Sequence, residues 1–127
     1  MTLVANHAAL NSRVIGSNEH ESHYIFDLLQ NNTSDIKPDV LSTDTHGTNH
    51  VNFALLDLFG YTFAPRYASF GDVVETMFDI KGQPDESLQL SLKKPINTDI
   101  IIEHWDDIQR IALTLRERKM TQVMLVR

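Results

Sequence analysis

The stretch Leu41-Ser42-Thr43-Asp44-Thr45-His46-Gly47 constrains this chain more than any other. The apolar pair Val40-Leu41 runs into it, and an amphipathic run from about Asn49 to Phe59 runs out of it. That order predicts a buried strand, a short polar turn and a helix. In an open α/β sheet, ligands and catalytic groups gather outside the carboxyl ends of the strands. Asp44 is expected at such an end, with its carboxylate in the crevice. A carboxylate there is a hard oxygen ligand, suited to Mg²⁺ or Mn²⁺. The commoner use of such a residue is to cap the next helix, because Asp and Thr oxygens accept bonds from orphan backbone N–H groups.

The flanking chain reads as α/β. Thr2 to Ala5 and Arg13-Val14-Ile15 are short apolar runs separated by polar Asn6, His7, Asn11 and Ser12, which predicts two strands and a turn. After the break at Gly16-Ser17-Asn18, Ser17 or Asn18 can cap a helix to about Gln30. Tyr24, Ile25, Leu28 and Leu29 give that helix one apolar stripe. Asn31 to Asp35 is a loop by composition, and Pro38 keeps the neighbouring backbone extended. In the helix after the central turn, Val51, Leu55, Leu56 and Phe59 share one side, and Gly60 sits at the expected stop. Tyr61 to Ala64 alternates and meets Pro65, so it reads as a strand. The order strand, strand, helix, strand, helix, strand implies a mixed sheet flanked by helices. Further on, Ser69 to Phe78 reads as a turn and short helix, Lys81 to Glu86 as a loop, and Leu88 to Lys93 as a strand. Asn97 or Thr98 caps a helix from about Asp99 to Arg118, with a stripe that includes Ile101, Trp105, Ile108, Ile111, Ala112 and Leu115. Trp105 is expected in the core. The apolar tail Gln122 to Val126 ends at Arg127, which suggests a domain that continues or a face covered by another chain.

With 127 residues the chain fits one domain, and 42% hydrophobic with 22% charged residues is ordinary globular composition. The net charge of -6 argues against binding DNA through bulk positive charge. There are no cysteines, which excludes disulfides and thiolate zinc sites. No apolar run approaches a membrane span and no signal peptide opens the chain, so a soluble cytoplasmic protein is expected. His20 with His23, and His46 with His50, stand three and four apart, spacings that can share a helix face. The zincin pattern His-Glu-x-x-His is absent, and no third ligand is evident. Neither a nucleophile elbow nor a phosphate-binding glycine loop appears. Arg66, after Pro65 at a strand end, could grip a phosphate bidentately or pair with a carboxylate.

Taken together, Ser42 to Gly47, Asn52-Phe53-Ala54 and Phe59 to Arg66 resemble the catalytic region of Tn-three family transposases. The family pattern Thr-Asp-Thr-x-Gly is matched at Thr43, Asp44, Thr45 and Gly47, and Phe-Ala-Pro-Arg at Phe63 to Arg66. Asn18 to Tyr24 and His104 to Arg110 also fit, so the resemblance covers nearly the whole chain. It implies an RNase H-like fold and a DDE active site, in which three carboxylates hold two Mg²⁺ or Mn²⁺ ions for hydrolysis at transposon ends and strand transfer into target DNA. Asp44 matches the second acid. Thr45, His46 and Arg66 are the candidate DNA or phosphate contacts beside it.

The family's proteins are far longer than one domain. The resemblance places the first Asp on a strand before Thr2 and the Glu on a helix after Arg127. Residues 1–127 are therefore expected to be a fragment of a catalytic domain, with 1–68 the RNase H-like core and 69–127 an extension. Such a fragment lacks its first strand and last catalytic helix. It is expected to be inactive alone, to bind no metal, to bind DNA weakly and to self-associate through its open edge. Two alternatives stand beside this: an interaction module that kept the fold without the chemistry, and a small metal-dependent nuclease that completes its site with local acids such as Glu19 or by dimerising.

Overall fold

The elements are short because polar and turn-forming residues interrupt every apolar run. The computed structural model describes residues 1–5, 8–79 and 94–126. In chain order these form β1 (Thr2–Ala5), β2 (Ala8–Ser12), a 3₁₀ turn (Glu21–Tyr24), α1 (Ile25–Gln30), β3 (Val40–Leu41), a second 3₁₀ turn (Thr45–Gly47), α2 (His50–Leu58) and β4 (Thr62–Phe63). There follow α3 (Phe70–Val74), β5 (Phe78–Asp79), β6 (Lys94–Pro95), α4 (Thr98–Glu103), α5 (Trp105–Arg116) and α6 (Gln122–Val126). The protein is thus mixed α/β. The expected single mixed sheet is not seen among the described residues. The strands pair as antiparallel β1–β2, parallel β3–β4 and parallel β5–β6.

Two compact units are present, one made of Met1–Arg66 with Ile111–Arg127 and the other of Tyr67–Arg110. The first boundary falls between Arg66 and Tyr67, and Ile111–Arg127 belongs to the first unit. The core of that unit is Ile25, Phe26, Leu29, Leu41, Leu55, Leu56 and Leu115. Each such side chain contributes about 1.5–3 kcal/mol by leaving water. The stripe Tyr24, Ile25, Leu28 and Leu29 is buried as the spacing requires. Helix α2 starts at Asn49, whose Oδ1 accepts from Asn52 N at 2.7 Å. It stops at Gly60, whose φ of 81° suits a residue without Cβ.

Two expectations in this unit need correction. The second strand is Ala8–Ser12, with Arg13 to Ile15 beyond it. Ala5 pairs with Ala8, so the ladder reaches Thr2 opposite Ser12, and Arg13 N bonds Met1 O. Val14 lies past the last paired residue and is 98% exposed. The helix expected from Ser17 or Asn18 begins only at Glu21, because Glu19 N turns back to Gly16 O. Its N-cap is His20, without a side-chain bond. The stretch Gln122–Val126, for which the sequence reading gave no element, forms the helix α6, and its first residue, Gln122, is fully buried.

In the second unit, α3 matches the short helix expected within Ser69 to Phe78. Asn97 caps α4 through Oδ1, which accepts from Asp99 N at 3.2 Å. The long helix expected to Arg118 is split at His104, where φ −101° and ψ 18° leave the helical region. The break interrupts the stripe, and Trp105, expected in the core, is 46% exposed. The loop expected at Lys81 to Glu86 and the strand at Leu88 to Lys93 lie outside the described residues.

Candidate functional site at the Asp44 turn

Parallel pairing of β3 and β4 decides where the candidate residues stand. The register is Val40 with Thr62 and Leu41 with Phe63. Backbone bonds extend it in both directions: Thr62 N to Asp39 O at 2.9 Å, Ala64 N to Leu41 O at 2.7 Å and Arg66 N to Thr43 O at 2.7 Å. The chain after each strand therefore emerges at the same, carboxyl end. Asp44, Thr45 and His46 follow β3 there, and Arg66 follows β4. Thr45 Oγ1 donates to Arg66 O at 3.5 Å, which ties the two segments. All four residues singled out in the sequence are thus brought to one place, and all four side chains are exposed.

Asp44 caps the turn after it. Its backbone is extended, and Oδ1 accepts from His46 N at 3.1 Å and from Gly47 N at 3.4 Å. The cap serves this 3₁₀ turn, whereas the next helix, α2, which the sequence reading gave to Asp44, is capped by Asn49. The Asp44 cap leaves the second oxygen, Oδ2, without a bond among the described residues, so capping and ligation do not exclude each other. No ion pair joins Arg66 to a carboxylate among the described residues. Gly47 is buried against Thr43: a Cβ at position 47 would lie 2.7 Å from Thr43 Cβ. Only glycine closes the turn this tightly. Among the described residues Thr43 Oγ1 is buried without a hydrogen-bond partner, a cost carried at this strand end.

A buried polar network fastens the turn to the core, and sequence reading did not find it. Asn52 Nδ2 donates to Gly47 O at 2.9 Å, and Asn52 Oδ1 accepts from Gln122 Nε2. Gln122 Nε2 also donates to Ser22 O at 3.0 Å, and Gln122 Oε1 accepts from Phe26 N at 2.9 Å. Asp27 caps α6 from across the fold: Oδ1 accepts from Gln122 N at 2.7 Å and Oδ2 from Val123 N at 3.4 Å. Burial pushes the Asp27 carboxyl above its ordinary value, while those backbone bonds and the Arg13 guanidinium pull it back. A polar residue at a core position of an apolar stripe was the available signal, but its partner stands 95 residues away.

The histidine pairs do not form ligand sets. His46 belongs to the 3₁₀ turn and His50 to α2, with extended Thr48 between, so they share no helix face. The His20 and His23 rings lie 5.7 Å apart, and His20 Nδ1 is 2.8 Å from Ser22 Oγ. Glu19 accepts the Tyr24 hydroxyl. No group of three or more His, Asp or Glu side chains suited to a metal occurs among the described residues. One exposed carboxylate with one unengaged oxygen does not make a two-ion site, so these residues alone do not fit the metal pair that the resemblance implies.

Comparison with known proteins gives the family. The family model described as the Tn3 transposase DDE domain matches residues 1–127. The transposase for transposon Tn21 of Escherichia coli is 31% identical over 123 residues, which is 95% of this chain and 12% of that protein. The transposase for transposon Tn501 of Pseudomonas aeruginosa is 32% identical over the same 95% of the chain and 12% of its own length. That for transposon Tn1546 of Enterococcus faecium is 28% identical over 116 residues, 91% of the chain and 12% of that protein. The chain thus spans about 12% of the length of these relatives. No solved structure matches. The chain belongs to the Tn3 transposase DDE domain family.

Proposed function

We propose that this chain is the segment of a transposase catalytic domain that supplies the second of three acids, Asp44, for cutting transposon ends and joining them to target DNA. The observation that carries the reading is the position of Asp44. It follows a parallel strand at the carboxyl end, exposed, with Oδ2 unengaged and Arg66 brought beside it by β4. Mg²⁺ or Mn²⁺, held with acids from elsewhere in the longer protein, would supply charge stabilisation at phosphorus. This chain's part is to hold one carboxylate still through the cap and to place Thr45, His46 and Arg66 for the DNA backbone. The protein acts where bacterial DNA lies, in the cytoplasm; no helix among the described residues is long and apolar enough to cross a membrane.

An RNase H-like arrangement is part of the proposal. An antiparallel hairpin, a helix and then a parallel pair with the acid at its carboxyl end support it. So does a cleft of about 470 Å³, walled by Leu3 and Val4 on one side and residues 36–42 on the other. A strand carrying the first acid would lie there, between β1 and β3.

The test is Asp44→Asn in the full-length transposase. End cleavage and strand transfer should be lost while end binding persists. Retained strand transfer would refute the assignment.

A further inference from the structure

The charged residues of this chain look scattered in sequence, yet one cavity collects three cations. It measures about 380 Å³ and is walled by Lys37, Arg116 and Arg118, with Tyr61, Phe59 and Gln30 beside them. No Asp or Glu lines it. Glu117, the carboxylate between the two arginines, pairs with Lys119 at 2.5 Å. In a chain of net charge -6, this is a local positive field.

All three cations are exposed, and Arg118 is the one fixed in place by its backbone and a hydrogen bond. Arg118 adopts φ 57°, a left-handed conformation that side chains other than glycine disfavour. It stands at the helix end where Gly is the usual residue, with Arg118 N bonded to Leu115 O at 3.0 Å and Lys119 N to Thr114 O at 3.1 Å. Its guanidinium donates to Gln30 O at 2.8 Å, which holds it at the cavity wall. Gln30 Nε2 donates in turn to Leu115 O. Of five guanidinium N–H donors, that bond uses one. On the other wall, Asn32 is committed to its own loop, with Nδ2 bonded to Ile36 O at 2.7 Å and Oδ1 to Ser34. The Phe59 ring packs on Phe26 at 4.6 Å between centroids, and Tyr61, half-buried against the same core, is the other ring of the lining that keeps part of its surface in solvent.

The position is separate from the Asp44 turn. Lys37 precedes β3 and Tyr61 precedes β4, so the cavity lies at the amino ends of the parallel pair, whereas Asp44 and Arg66 lie at the carboxyl ends. We propose that this cavity binds one nucleotide unit, its phosphate against Lys37, Arg116 and Arg118 and its base against Tyr61. Cations supply the charge, and an aromatic face accepts any base. The source is a single strand of DNA or a free nucleotide. The proposal does not rest on the catalytic reading of Asp44.

The test uses the 127-residue chain at low ionic strength without divalent metal, so no cleavage enters the readout. A labelled short oligothymidine, an abasic strand of equal length, thymidine monophosphate and inorganic phosphate are titrated. The oligothymidine should bind more tightly than the abasic strand, and Lys37→Gln and Arg116→Gln should each weaken it and reduce the salt slope by about one. Tyr61→Leu should weaken the oligothymidine and leave the abasic strand unchanged. Arg118→Gly removes the charge while relieving the backbone, so it should keep the fold by circular dichroism and lose affinity. Competition by thymidine monophosphate at equal molarity would identify the free nucleotide as the source, and weak competition would identify the strand. Equal binding of wild type and the charge variants, or of inorganic phosphate and the nucleotide, would overturn the proposal.

Discussion

Gly47 and Thr43 are locked together: a Cβ on Gly47 would stand 2.7 Å from Thr43 Cβ and 2.8 Å from its Oγ1. Neither neighbour is a flexible side-chain tip, so the backbone would have to move. Gly47→Ala should destabilise the chain by about 1–3 kcal/mol, the usual cost of overpacking. It should also displace the N–H groups that Asp44 holds. Thr43→Val at the same contact removes an unpartnered buried hydroxyl and should be neutral or stabilising by about 1 kcal/mol. Urea denaturation of the two variants checks both signs, and a stable Gly47→Ala would show that the turn can widen without cost.

Asp44 caps and is proposed to ligate, and two substitutions separate these roles. Asn is as good an N-cap as Asp, so Asp44→Asn should leave stability within about 0.5 kcal/mol. Asp44→Ala should cost about 1 kcal/mol through loss of the bonds from His46 N and Gly47 N. A loss above about 2 kcal/mol for Asp44→Asn would mean that the charge itself holds the turn.

Asp27 should give the chain a pH dependence of stability. Its native carboxyl titrates above the unfolded value of 3.8, because burial disfavours the charged form. Between those two values the native state holds a proton that the unfolded state has lost. Stability from this group is therefore greatest in acid and falls as pH rises through the window above 3.8. Asp27→Asn should flatten that slope, and Asp27→Ala should cost about 1–3 kcal/mol by leaving Gln122 N and Val123 N unsatisfied. Thermal melts across the window decide it; an unchanged slope in the Asn variant would sink the assignment.

The isolated chain should neither nick nor join DNA in Mg²⁺, since one carboxylate does not build a two-ion site. Mg²⁺-dependent nicking of a transposon-end duplex that Asp44→Ala abolishes would overturn this. DNA affinity at physiological salt should be weak, given the charge of -6.

Self-association is expected as well. Val4 and Val40, at the walls of the cleft between β1 and β3, are 59% and 58% exposed. Unpaired strand edges beside apolar side chains recruit other chains. Light scattering should show oligomers that grow with concentration, and a strict monomer at high concentration would count against the open edge.

By itself the sequence determined the local elements with strong signals and the family. The stripe from Tyr24 to Leu29 and the Gly60 stop are set by contacts within a few residues, and they fold where the spacing puts them, whereas the cap of α2 proved to be Asn49 rather than Asp44. The same is true of the polar turn after Leu41. Family membership was legible because Thr43 to Gly47 and Phe63 to Arg66 are contiguous motifs. Tertiary structure alone decided the rest. Strand β2 moved to Ala8 because pairing begins at Ala5, and the single expected sheet became three pairs because register depends on partners distant in sequence. Gln122 and Asp27 meet across 95 residues, and Lys37 meets Arg116 and Arg118 at one cavity. No spacing rule reaches that far: a buried hydrogen bond or a shared field is fixed by where the chain packs, after the local elements have formed.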